Sequence, residues 1–228
     1  MSDLAEVRAQ VRLSVYRRFA SDGQPPTVRD LMDEFDASSD DVVTCLQHLA
    51  DERHLVLRAD ASGLPEVVMA HPFSAVPLGF SVMGERTLWW GGCAWDAFAL
   101  PHLVPDVTSA LVATECPACV RPHAFRVTAD APPPGEQVAH FLVPAAHMWD
   151  DVVHTCANQR IFCSPTCVDD WLASKQLPRG YVMDLETLWR LASHWYDGRL
   201  EPGYTRRDPT DAQEYLNSVG LTGSFWGH

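Results

Sequence analysis

Seven cysteines fall within 228 residues, at 45, 93, 116, 119, 156, 163 and 167, and four of them form two close pairs. Cys116-Pro-Ala-Cys119 has the spacing of a zinc knuckle, and Phe162-Cys163-Ser-Pro-Thr-Cys167 supplies a second pair at the start of a helical stretch. Four thiolates complete one tetrahedral zinc, so Cys116, Cys119, Cys163 and Cys167 are a candidate structural zinc set. The competing reading takes them as small apolar core residues, and the wider spacing of the second pair keeps it open. An odd cysteine count argues against a disulfide framework, and Met1-Ser-Asp-Leu-Ala-Glu lacks the basic start and apolar centre of a secretory signal. The expected setting is the cytoplasm, where thiols stay reduced.

Composition is that of a globular protein, 46% hydrophobic and 21% charged, with no apolar run near the roughly 20 residues of a membrane crossing. A net charge of −13 repels a phosphate backbone, so nucleic acid is disfavoured as a partner. The order of patterns predicts an α+β chain in three parts. Residues 4–20 carry a helical stripe, Thr27 caps a short helix through Phe35, and Ser38 or Ser39 caps a third through Ala50. Residues 55–70 read as two short strands about a turn, completing a winged-helix-like three-helix module over residues 1–70. Its third helix offers Asp40, Asp41, Asp51 and Glu52 against Arg53 alone, which favours a structural or interaction role over base reading.

Residues 71–200 are expected to form the main α+β domain. Strands are predicted near 80–83, 87–90, 110–115, 124–128 and 138–144, with helices over 93–103, 145–153, 168–174 and 184–198. Residues 201–228 are expected to be a tail packing on that domain, with a short helix around 211–217 and an apolar end at Phe225-Trp226. The order of knuckle, strands, second cysteine pair and helix resembles treble-clef zinc sites.

Three cysteines lie outside the two pairs. Cys45 falls on the inward stripe of the third helix and reads as core. Cys93 follows two glycines and opens an apolar helix, where a thiolate is favoured. Asp96 lies one turn on, close enough for a thiol and a carboxyl to act on one atom. From these residues alone, a buried thiol and an ordinary first-turn acid serve equally well.

Three segments carry a family resemblance. They are Cys93-Ala-Trp-Asp96 with its apolar helix and Pro101, Cys116 in a strand-turn context, and Cys156 leading through Arg160-Ile-Phe and Ser164 to Asp169-Asp-Trp-Leu-Ala-Ser-Lys. Over most of its length the chain resembles the organomercurial (alkylmercury) lyases. The resemblance implies a winged-helix-like amino-terminal domain without a DNA role, followed by an alkylmercury-lyase-like catalytic domain. It implies that Cys93 and Cys156 bind the mercury of an alkyl- or arylmercury cation, and that Asp96 delivers the proton that frees the hydrocarbon. No organic cofactor is implied. Mercury(II) remains on the two sulfurs until a thiol acceptor or a mercuric reductase removes it, in the service of mercury resistance.

The chemistry is coherent, because two thiolates donating to mercury make the attached carbon a better proton acceptor. Asp96 is expected in an apolar pocket lined by Trp90, Trp95 and Phe98, taking a thiol proton before passing it to carbon. Cys119, Cys163 and Cys167 lie outside the family's catalytic pattern. Against the lyase stand a non-enzymatic zinc-containing protein that carries a soft ion on Cys93 and Cys156, and a lyase-like enzyme with another substrate. A zinc-containing winged-helix regulator would need a basic surface that the sequence does not advertise.

Overall fold

The computed structural model describes residues 2–227. Its first three helices are α1 (Ser2–Asp22), α2 (Val28–Phe35) and α3 (Ser39–Asp51). Thr27 and Asp30 close a reciprocal capping box on α2, and the Ser38 hydroxyl accepts from Asp41 N to start α3. Each helix turns one apolar face inward, as the buried Val15, Phe19, Leu31, Leu46 and Leu49 record.

A hairpin follows, β1 (Val56–Ala59) against β2 (Pro65–Ala70), with Asp60 Oδ1 accepting from Ser62 N and Leu64 N across the turn. The hairpin does not stand free. β2 pairs onward with β3 (Phe73–Ser74), and the sheet continues through β5 (Leu88–Gly91), β4 (Phe80–Met83), β6 (Ser109–Glu115) and β7 (Pro122–Thr128) in the order β1-β2-β3-β5-β4-β6-β7. The three helices share this sheet's core. Phe19 stacks on Phe73 with ring centroids 5.5 Å apart, and Trp89 Nε1 donates to Phe19 O at 3.0 Å.

A second sheet has the order β10-β8-β9, from β8 (Val138–Phe141), β9 (Gln159–Phe162) and β10 (Tyr181–Asp184). The sequence pattern missed β3, β9 and β10; β3, of two residues, is too short to display a period. Helix α4 (Ala94–Leu103) is buried from Ala94 through Pro101 and packs against α7 (Leu185–Trp195), both sheets and β5. That enclosure explains why α4 is apolar all round instead of on one stripe.

The stretch 145–153 does not form the single helix expected. Ala145–His147 is a 3-10 turn, and the helix proper, α5 (Val152–Ala157), starts where Asp151 accepts from His154 N. The later start puts Cys156 in its last turn. Helix α6 (Pro165–Lys175) follows β9, and α8 (Pro209–Ser218) lies in the closing segment. That segment ends with Trp226 buried against Phe141 and Tyr181.

Candidate active site

The start of α4 is built by close approach. A Cβ at Gly91 would sit 2.8 Å from Ala97 Cα, and one at Gly92 would sit 2.5 Å from both Asp96 Oδ2 and Met69 Cε. The two glycines therefore let the helix N-terminus press onto β5 and β2. Cys93 is the N-cap of α4: its Sγ accepts from Asp96 N at 3.4 Å and donates to Asp96 Oδ2 at 3.2 Å. Cys156 Sγ, delivered by α5, lies 3.9 Å from the same oxygen. The three residues singled out in the sequence thus meet at one carboxylate, and all three are buried.

Two neighbours escaped the sequence reading. His71, between β2 and β3, places Nε2 3.3 Å from Cys156 Sγ and 4.0 Å from Asp96 Oδ2. Tyr196, just past α7, donates its hydroxyl to Asp96 Oδ1 at 2.5 Å. A lone His and a lone Tyr have no spacing to betray them; the only local signal is their place at the edge of a strand and a helix.

Burial drives the Cys93 thiol well above its ordinary range, helped by its hydrogen bond with Cys156 and by the Asp96 charge. Cys156 moves down, first through the hydrogen bond from Cys93, against burial, and then through His71. Of the two coupled thiols, Cys93 is thus the one driven up and Cys156 the one drawn down. The Cys93 thiol is held protonated against a carboxylate, and the sulfur favoured as thiolate is Cys156. Burial pulls His71 down, but Asp96 and Cys156 outweigh it and the imidazole is raised. Tyr196 is raised well above the ordinary phenol range by burial and then by Asp96, so it stays a neutral donor.

These groups open onto a cavity of about 620 Å³ whose walls include Trp95, Trp149, Trp195 and Tyr196. Two residues expected there are elsewhere. Phe98 packs against Phe125 inside the core, and Trp90 sits in β5 opposite Ser74 and Ser81. Cys45 is half-buried against the core of the helical layer.

The other four cysteines also converge. Cys116 and Cys119 lie in the β6–β7 turn, Cys163 follows β9, and Cys167 is in the first turn of α6, with Ser164 as its cap. Their four Sγ atoms lie within 4.8 Å of one another, and Cys119 Sγ is 3.5 Å from Cys163 Sγ. Cys116 falls to about 7: burial resists, but backbone N–H groups of Cys163, Cys119 and Ala118 donate to its sulfur. Cys163 is pushed up to about 12 by burial and by the sulfurs beside it. Four sulfurs at this separation could hold a metal ion, and an all-sulfur set has the donor chemistry of zinc.

No helix among the described residues is long and apolar enough to cross a membrane. Comparison with known proteins gives a match to one family model and matches to solved structures. The chain aligns as a whole with the crystal structure of the mercury-bound form of MerB2, at a TM-score of 0.62 and 16% identity, covering 88% of this chain and 100% of that one. At that identity the match speaks for the fold. A search of curated proteins returned no match. The family model described as alkylmercury lyase matches residues 73–197, a span that contains Cys93, Asp96, Cys156 and Tyr196. Since that model covers more than half of the sequence, this chain belongs to the alkylmercury lyase family, the organomercurial lyases that cleave carbon–mercury bonds.

Proposed function

We propose that Cys93, Cys156 and Asp96 are the residues that carry the lyase reaction in this chain. Cys156, favoured as thiolate, attacks the mercury of an alkyl- or arylmercury thiolate and displaces the carrier thiol. Cys93 passes its proton to Asp96 Oδ2 and becomes the second sulfur on mercury. The carbon–mercury bond then breaks, its electron pair takes the proton from Asp96, and the organic group leaves as hydrocarbon. Mercury(II) stays on two sulfurs. The observation that carries this reading is the convergence of both thiols on one carboxylate oxygen, at 3.2 and 3.9 Å.

Headspace assay of hydrocarbon from phenylmercury bound to a small thiol tests it. Asp96→Asn should lower release by roughly 10²–10⁴-fold, the range of a positioned proton donor, and Cys93→Ser and Cys156→Ser should each nearly abolish it. Asp96→Asn should still bind mercury(II). Full activity in any of the three would remove that residue from the reaction.

The remaining assignments belong to the same reading. Cys116, Cys119, Cys163 and Cys167 would hold a zinc ion that ties the β6–β7 turn to α6 and takes no part in turnover. Metal analysis of protein purified without chelator should find one zinc per chain, and Cys119→Ser should lose it together with stability in urea unfolding. Residues 1–70 act as a structural module of winged-helix type, residues 71–200 as the catalytic domain and residues 201–228 as a tail that packs on it. Product mercury passes to small thiols or a mercuric reductase in the cytoplasm, where free cysteines persist.

A further inference from the structure

The cavity is larger than a methyl or phenyl group requires. Sites for drug-sized ligands begin at roughly 300 Å³, and this one reaches about 620 Å³. Its deep residues are the buried Cys93 and Cys156, whereas Arg53 and Arg207 on its wall are exposed, which places them at the rim. Arg206 joins them half-buried. Three arginines at one opening are conspicuous in a chain of net charge −13.

Each guanidinium lies near an aromatic ring, and Arg206 and Arg207 each also donate to a backbone carbonyl, Glu52 O at 3.3 Å and His194 O at 2.9 Å. Arg53 and Arg206 lie 5.9 and 4.8 Å from the centre of Trp149, and Arg207 lies 4.9 Å from that of Tyr215. Among the described residues none of the three has a carboxylate partner. The acids on the same wall are committed elsewhere: Glu52 pairs with Arg8 at 3.3 Å, and Asp208 caps α8 through Thr210 N and Asp211 N.

We propose that the rim formed by Arg53, Arg206 and Arg207 is a carboxylate subsite, selecting organomercury–thiolate complexes that carry an anionic group remote from mercury. The subsite rests on the lyase reading of Cys93, Cys156 and Asp96. The carboxylate has two sources, the organic group on mercury and the thiol that delivers it. Either arrives through the same rim, where a planar guanidinium meets a carboxylate in fork geometry.

The test uses phenylmercury and 4-carboxyphenylmercury, each complexed with neutral 2-mercaptoethanol or with anionic mercaptoacetate. A carboxylate-bearing complex should show kcat/KM about tenfold or more above the fully neutral one, and the ratio should narrow as ionic strength rises. The better arm identifies the source. Arg53→Gln with Arg207→Gln should bring the ratio close to one, as should Arg206→Gln; Arg126→Gln, exposed on β7, should leave it unchanged. A wild-type ratio near one, or losses in the rim variants that are equal for charged and neutral complexes, overturns the subsite. If no complex yields hydrocarbon, the lyase reading fails by itself. Calorimetric Kd values of the same complexes for Asp96→Asn then decide the subsite without turnover, supporting it if the carboxylate tightens binding and rejecting it if it does not.

Discussion

Asp96 has one oxygen for each of two tasks. Oδ1 takes the Tyr196 hydroxyl at 2.5 Å, which leaves Oδ2 facing Cys93 and Cys156. A carboxyl that must move a proton between sulfur and carbon gains from being fixed in rotation, and the phenol does that without competing for the proton. Tyr196→Phe should lower kcat for hydrocarbon release by about tenfold, the worth of one hydrogen bond to a charged group, while Kd for mercury(II) changes far less. Equal losses in both would mean that Tyr196 only shapes the cavity. The helical spacing set Cys93 beside Asp96, but only the resemblance to a known family lifted that pair above a buried thiol and an ordinary acid, and it alone brought in Cys156. His71 and Tyr196 were not legible, since only the packing of α4 against α7 and the approach of β2 bring them in. The glycines at 91 and 92 make sense once the 2.5 Å approach at Gly92 is seen, because sequence cannot tell a flexible glycine from a crowded one.

At the scale of elements, helices with caps and stripes could be read from the sequence, as Thr27, Ser38 and the apolar run of α4 illustrate. Strands that get their identity from partners could not. Tyr181–Asp184 is a strand because β8 offers it an edge. His140 in β8 strengthens that edge: its Nε2 accepts from Gly180 N at 3.2 Å, a bond open only to neutral imidazole. Burial, and then Arg179, lowers His140 to about 4 from an ordinary 6.5. The unfolded chain therefore binds the proton first, so stability is full above pH 6.5 and falls as pH drops towards 4. The loss assigned to His140 should be on the order of 1–3 kcal/mol at the acid end. Urea unfolding across that range should show a shallower acid decline in His140→Gln than in the unmodified chain. Identical slopes would mean that His140 does not carry the effect. His54 and His102, also lowered to about 4 by burial, account for further acid sensitivity in both proteins.

For the molecule as a whole, Arg199 joins parts that the sequence keeps far apart. It is buried at 4% exposure, and its Nη1 donates to Tyr16 OH in α1 at 3.0 Å and to His71 O beside the site at 2.7 Å. Its Nε donates to Tyr204 OH in the closing segment at 3.1 Å, and Arg12 Nη1 in α1 donates back to Arg199 O at 2.9 Å. No carboxylate pairs with Arg199 among the described residues, so hydroxyls and a carbonyl satisfy a buried charge. Burial works against the guanidinium, but Tyr16, Tyr204 and Tyr196 outweigh it and its pKa is raised. Arg199→Met removes the charge and leaves those oxygens buried without a donor, each worth about 1–3 kcal/mol. The expected outcome is a loss of about 3 kcal/mol or more in urea unfolding with an unchanged m-value. Because His71 O is among the abandoned acceptors, kcat/KM should fall as well. Arg199→Lys should recover the smaller share of both, since one ammonium cannot span a fork that reaches α1, His71 and Tyr204 together. A change below about 1 kcal/mol in the Met variant would show that the three parts hold together through apolar packing alone, with the guanidinium a passenger.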